Sequence, residues 1–125
     1  MNMNEANETI LIAGLGLIGG SIALSIKKEF PHKKIVGYDV SKEQMIAATK
    51  LGIIDATAES FIEGLNEAAT IILATPVQQT VKMLSDIAAS GIERELTITD
   101  VGSTKQKVVH FAEKTLPDHY QFIGG

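Results

Sequence analysis

Short apolar runs alternate along this chain with longer segments whose apolar residues recur every three or four positions. The first run, Thr9 to Gly14 (TILIAG), is apolar throughout and ends in glycine, the signature of a strand buried on both faces. From Leu17 to Phe30 the spacing predicts a helix, with Ile18, Ile22, Ile26 and Phe30 on one face and Pro31 ending it. Lys34 to Asp39 (KIVGYD) predicts a second strand. Ser41 is placed to N-cap a helix through Leu51, with Gly52 as its stop. A short third strand is expected at Ala56 to Ala58, then a short helix or turn from Ser60 to Glu67.

Ala69 to Thr75 (ATIILAT) repeats the buried-strand pattern. Pro76 sits where a helix begins and tolerates the missing N–H; Val77, Val81, Leu84, Ile87 and Ala88 supply that helix with a stripe, and Gly91 ends it. Leu96 to Val101 is read as strand five. Thr104 to Leu116 is read as a helix turning Val108, Phe111, Ala112 and Leu116 to the sheet before Pro117, and Gln121 to Ile123 starts strand six. Strict alternation of strand and helix implies right-handed parallel βαβ units. The expected fold class is α/β, a doubly wound sheet in the order 3-2-1-4-5-6 with helices on both faces.

Composition narrows the partners more than the fold. The chain has 125 residues, room for one domain, placed here at residues 9–125 behind a polar tail, residues 1–8, expected to be disordered. A net charge of −4 argues against nucleic acid as the main partner. There is no cysteine for a disulfide or thiolate metal site. No run approaches the roughly 20 apolar residues of a membrane span, and the N-terminus lacks the basic and apolar regions of a secretory signal. The expectation is a cytoplasmic protein with no membrane or nucleic-acid partner and no metal.

The chemistry concentrates at strand ends. Gly14-Leu15-Gly16-Leu17-Ile18-Gly19 is GxGxxG, placed where the first strand ends and the first helix opens. In that context Gly14 permits a tight turn, Gly16 lets the backbone approach a pyrophosphate, and Gly19 lets helix and strand pack closely. The amides near Leu17 and Ile18, at the positive end of the helix dipole, would face the phosphates. The residues that follow, Gly20-Ser21-Ile22, lack the Gly-Lys-Ser/Thr ending of a P-loop. Asp39 closes the second strand twenty residues past Gly19. An acid there accepts from the 2′-hydroxyl of an adenosine ribose and repels a 2′-phosphate. No arginine follows it, so this Rossmann-type domain is expected to take NAD rather than NADP, with Lys42 the one contrary residue. The same residues admit other readings: glycines that serve packing alone with Asp39 merely capping the next helix, or an S-adenosylmethionine site.

Across the crevice, Ala74, Thr75 and Pro76 end strand four, where small residues leave room for a dinucleotide and proline stiffens the wall. Asp100-Val101-Gly102-Ser103-Thr104-Lys105 ends strand five and brings a carboxylate, hydroxyls and an ammonium to the nicotinamide edge; Ser103 or Thr104 also suits a helix N-cap. His32, His110 and His119 lie away from strand ends and are read as surface or packing residues.

In this order and spacing, GLGLIGGS, GYD, ATPV, DVGSTK and the terminal FIGG resemble the prephenate and arogenate dehydrogenases of tyrosine biosynthesis. The resemblance covers Thr9 to Gly125. It implies oxidative decarboxylation of prephenate to 4-hydroxyphenylpyruvate with hydride transfer to NAD. It also implies a catalytic role for Ser103 beside the substrate hydroxyl, matches Lys105 without assigning it a task, and places the family's catalytic histidine one position beyond Gly125. A helical C-terminal domain carrying the remaining substrate contacts and a homodimer interface is likewise implied outside this sequence, so these 125 residues are expected to be inactive alone. Two alternatives stay open at this stage: an NAD(H)-sensing module, and another NAD(P)-dependent reductase or dehydrogenase.

Overall fold

In the computed structural model, which describes residues 9–101 and 106–123, the apolar runs form one six-stranded parallel sheet. Its elements are β1 (Thr9–Ala13), α1 (Leu17–Glu29), β2 (Lys34–Tyr38), α2 (Lys42–Lys50), β3 (Ala56–Thr57), α3 (Phe61–Glu67), β4 (Thr70–Leu73), α4 (Val77–Ala89), β5 (Leu96–Asp100), α5 (Gln106–Thr115) and β6 (Tyr120–Ile123). The strand order is β3-β2-β1-β4-β5-β6, as the alternation implied. β1 therefore lies between β2 and β4, and the chain reverses its direction of winding beside it. That reversal opens a crevice at the carboxyl ends of β1 and β4.

Side chains along β1 leave the sheet alternately. Leu11 and Ala13 join Val36, Ile71, Leu73 and Ile98 in a core that takes in Phe61, Leu65, Leu84, Ile87, Val108 and Ala112, from α3, α4 and α5. Ile10 and Ile12 join Ile35 and Ile72 on the opposite face, where Ala23 of α1 and Ala48 of α2 pack. Helices thus cover both faces, which is why the strands read as uninterrupted apolar runs. β5 departs from this, because Thr97 and Thr99 point to the α1–α2 side and are only half-buried. Of the two apolar residues near the chain end, Phe122 packs against the first core and Ile123 stays about half exposed.

Two predicted stripes need correction. On α1 the buried line is Gly19 and Ala23, with Ile22 and Ile26 half-buried, whereas Ile18 and Phe30 are exposed at 52% and 47%. The small residues let the helix press against the sheet. On α4 the buried residues are Thr80, Met83, Leu84 and Ile87, while Val77, Val81 and Ala88 are only half-buried. The strand-four and strand-five segments close earlier than predicted, at Leu73 and Asp100, because the chain turns into the crevice there.

The caps follow the sequence closely. Ser41 Oγ accepts from the Gln44 amide at 3.3 Å, Ser60 Oγ accepts from the Glu63 amide at 3.1 Å, and Gly52 and Gly91 take positive φ after α2 and α4. Arg94 adds to the local cap at the end of α3, where the Ala68 amide donates to Leu65 O at 3.3 Å. Its Nη2 donates to the carbonyls of Leu65, Asn66 and Ala68 at 3.0, 3.1 and 2.6 Å, satisfying groups that helix termini leave open.

Asp55 joins α1 to β2. One carboxylate oxygen pairs with Lys27 and the other accepts from the Ile35 amide at 2.8 Å. Burial raises its pKa, but Lys27, the Ile35 amide and the charge of Lys34 together outweigh this and hold it below the ordinary aspartate value. A folded pKa lower than the unfolded one stabilises above the unfolded value and loses that stabilisation as pH falls through the folded one. Asp55→Asn is therefore expected to cost about 1–2 kcal/mol at pH 7, from the weakened Ile35 contact and the lost ion pair. Urea titrations should show the gap between wild type and variant closing below about pH 4. A gap that persists unchanged at pH 3 would contradict the ionic origin.

Candidate functional site

The crevice is built first from glycines. Gly14 has φ +96°, and a Cβ there would lie 2.2 Å from the Ala74 carbonyl oxygen, so the turn out of β1 admits no side chain. Its amide donates to Tyr38 O at 2.8 Å, fastening the loop to the end of β2. A Cβ on Gly19 would stand 1.7 Å from Gly14 O, which explains how closely α1 approaches the turn. Gly16 differs: a Cβ there would meet nothing within 4 Å. Its neighbours do not need it to be glycine, and the space above it is open.

Gly16 is also the N-cap of α1, and no side chain caps the helix. The first backbone bond of the helix runs from the Gly20 amide to Gly16 O at 2.8 Å. Among the described residues, none accepts from the amides of Leu17 or Ile18. The first turn carries no acidic residue, so its positive end faces the crevice with no compensating side chain of its own. The side chains of these two residues are exposed, at 89% and 52%.

Asp39 stands across from this loop. Its Oδ2 accepts from the Leu15 amide at 2.8 Å and its Oδ1 from the Ser41 amide at 2.9 Å. The cap of α2 is Ser41, and Asp39 holds the amide of that cap residue rather than a helical one; the contact with Leu15 is one the sequence did not reveal. An ionised carboxylate has about four acceptor positions, so these two bonds leave further capacity on each oxygen.

The β4 end of the crevice is fixed by a buried hydroxyl pair. Thr75 Oγ1 and Thr80 Oγ1 lie 2.8 Å apart, and Thr80 donates to Thr75 O at 3.1 Å. The Thr75 hydroxyl is thus turned inward and holds the β4–α4 connection rather than facing the crevice. Ala74 borders the glycine turn, with its methyl 3.4 Å from where a Gly19 Cβ would sit, and Pro76 is exposed at the start of α4. Asp100 ends β5 and is 2% exposed. Gly102, Ser103, Thr104 and Lys105 lie outside the described residues, as do Gly124 and Gly125.

The structure adds residues that motif reasoning missed. A cavity of about 100 Å³ lies between the end of β2 and α4, lined by Tyr38, Val40, Phe61, Gln79, Lys82, Met83 and Asp86. The nearest signal in the sequence was Val40, an apolar residue directly after Asp39, 67% exposed in the fold. A wider groove of about 640 Å³ runs along α2 and the strand edge at Thr57, lined by Lys42, Met45 and Ile46 among others, and includes none of the glycine loop. Among the described residues no group of three or more His, Asp or Glu side chains is arranged for a metal ion. His32, His110 and His119 are exposed, and His119 Nε2 lies 2.9 Å from Ile92 O. No helix among the described residues is long and apolar enough to cross a membrane.

Comparison with known proteins points the same way as this geometry. The model of a family described as "Prephenate dehydrogenase, nucleotide-binding domain" matches residues 22–125. Prephenate dehydrogenase of Bacillus subtilis is 65% identical over 98% of this chain, and that of Lactococcus lactis is 46% identical over 93%. The chain spans about a third of the length of these curated relatives, 33% and 32% respectively. Among solved structures, a prephenate dehydrogenase from A. aeolicus in complex with hydroxyphenyl propionate and NAD+ superposes with a TM-score of 0.82 at 32% identity, covering 93% of this chain and 40% of that one. A Synechocystis arogenate dehydrogenase shares the fold, with a TM-score of 0.72 at 24% identity over 93% of this chain and 39% of that one.

Proposed function

The chain belongs to the prephenate dehydrogenase family, as its nucleotide-binding domain, and we propose that it binds NAD for the oxidative decarboxylation of prephenate to 4-hydroxyphenylpyruvate. The observation that carries this reading is the conjunction at the crevice. The amides of Leu17 and Ile18, without an acceptor among the described residues, and an open space over Gly16 stand opposite the carboxylate of Asp39. A diphosphate fits the first, because amides at a helix N-terminus take anions without a lysine. A ribose diol fits the second, because an ionised carboxylate accepts from hydroxyls. The cavity between Val40 and α4, lined also by Tyr38, Phe61 and Met83, is assigned to the adenine ring, since Val40 directly follows Asp39 in the chain. Ala74 and Pro76 then border the path toward the nicotinamide.

NAD, when bound, supplies the hydride acceptor. The substrate loses a hydride from the ring carbon bearing its hydroxyl and its ring carboxylate as carbon dioxide; the electron pair of the broken C–C bond makes the ring aromatic, and a proton lent by the hydroxyl to a base returns to the phenol oxygen. Ser103, at the end of β5 in the sequence, is assigned to hydrogen-bond that hydroxyl. The group that polarises it is assigned to the histidine that follows FIGG in the family. Prephenate, or the related arogenate, is the substrate class; a helical partner domain and a homodimer formed through it are part of the same proposal.

Cofactor binding is testable on these 125 residues. NADH at 100 times its dissociation constant is expected to add about 2.7 kcal/mol of stability, read as a rise in melting temperature, with NADPH much weaker. No shift at millimolar NADH would end this reading. In a chain extended through the family's second domain, Ser103→Ala is expected to lower kcat far more than it weakens NADH binding. Equal losses in both would remove the role given to Ser103.

A further inference from the structure

We propose that Asp39 is a positioning residue for the glycine loop, holding it in the ligand-ready shape before any ligand arrives, and that this second task makes its charge irreplaceable for NAD selectivity. The proposal rests on the nucleotide reading only for the identity of the ligand. Leu15 sits between Gly14, at φ +96°, and Gly16, which touches nothing where a side chain would be. Gly14 is fastened by its amide to Tyr38 O and Gly16 by its carbonyl to the Gly20 amide, so the peptide between them is set by how Leu15 is held. The Leu15 side chain is buried, with its Cδ1 3.0 Å from where a Gly37 Cβ would sit. Its amide is held from 24 positions away by Asp39 Oδ2 at 2.8 Å. The other oxygen of the same carboxylate holds the Ser41 amide at 2.9 Å, at the start of α2. One carboxylate therefore ties the loop before α1 to the turn before α2.

Two backbone donors converge on this side chain, and only a group with two acceptor atoms satisfies both. A carboxamide offers one acceptor oxygen and an NH2 group that only donates. Whichever way the carboxamide of an Asp39→Asn variant turned, an N–H would face an N–H. Neutralising the position therefore releases either the loop or α2, besides weakening the grip on the sugar. Charge and loop effects can be separated because they have opposite signs for an anion that carries no ribose. Removing a negative charge beside a diphosphate favours the anion, whereas loosening the amides that cradle it disfavours the anion.

The test uses Asp39→Asn with inorganic pyrophosphate, NADH and NADPH as probes, together with amide exchange followed by NMR. The variant is expected to bind pyrophosphate and NADH each at least about tenfold more weakly, with no gain for NADPH. In the ligand-free wild type the Leu15 amide is expected to exchange far more slowly than those of Leu17 and Ile18, and that protection should disappear in the variant. Unchanged or tighter pyrophosphate binding by the variant would overturn the proposal. So would a Leu15 amide in the wild type that exchanges as fast as its two neighbours, a result that needs no variant to fold. If Leu15 protection depended on Asp39 while the wild type bound none of the three probes, the nucleotide reading would fall and the loop-holding role would stand.

Discussion

Gly16→Ala is expected to leave the fold standing and to remove cofactor binding, a separation that few substitutions in this domain would give. Its backbone, at φ −73°, suits any residue, and an added methyl meets nothing within 4 Å in the ligand-free chain. Alanine is a poorer N-cap than glycine, so a loss of up to about 1 kcal/mol is allowed for. The same methyl would stand in the open space over the first turn of α1, where a pyrophosphate must come close enough to meet the Leu17 and Ile18 amides. Hydrogen bonds to an anion weaken steeply with distance and are charge-assisted, so displacing the phosphates should cost about 3 kcal/mol, or about 100-fold in affinity. Calorimetric titration with NADH, beside urea unfolding of the same samples, reads both quantities. An alanine variant that binds NADH as tightly as wild type would mean that no ligand approaches Gly16, and the placement of the diphosphate would have to be abandoned.

That separation shows which parts of the site were legible in the sequence. The position of each glycine followed from GxGxxG at a strand-to-helix junction, and the sheet order followed from alternating elements with right-handed crossovers. These are local or topological rules, and one sequence suffices for them. The α1 stripe failed for a local reason as well. Periodicity marks the large apolar residues, but here the face nearest the sheet is made of Gly19 and Ala23, whose value lies in their smallness. Thr80 escaped for the opposite reason, being a polar residue in a buried row because its hydroxyl is matched by Thr75.

What the sequence could not show were contacts between residues far apart along the chain. Asp39 with the Leu15 amide spans 24 positions, Lys27 with Asp55 spans 28, and Arg94 reaches carbonyls 26 to 29 positions back. Neither partner's identity announces such a pair, because backbone groups occur everywhere and charged side chains on a helix usually face solvent. Thr75 illustrates the limit at the site itself. The sequence placed it on the crevice wall, and the fold sends its hydroxyl into the core as a brace for the α4 connection.

Two adjacent glycines on α1 should respond to the same substitution with opposite signs. Helix propensity alone predicts that Gly→Ala stabilises a helix interior by about 1 kcal/mol. At Gly20 the nearest atoms to an added Cβ are Ile53 Cδ1 at 3.7 Å and Leu15 O at 3.9 Å, ordinary contacts, so propensity should decide and Gly20→Ala should stabilise by about 0.5–1 kcal/mol. At Gly19 the added Cβ would lie 1.7 Å from Gly14 O and 2.9 Å from Gly14 C. Those are backbone atoms, and Gly14 cannot retreat because its amide is bonded to Tyr38 O and the Ala74 carbonyl crowds its other side. Repulsion must then be relieved by moving α1 off the sheet, which uncovers Ala23 and the core beneath it. Overpacking of this kind costs about 3 kcal/mol or more, against which a propensity gain of about 1 kcal/mol cannot compete. Gly19→Ala should therefore lower the melting temperature by roughly 10 °C or more, while Gly20→Ala raises it by a few degrees, both measured by thermal unfolding without ligand. Equal and positive shifts at the two sites would mean that α1 does not rest on the glycine turn, and the close approach that aims its amides at the crevice would be lost with it.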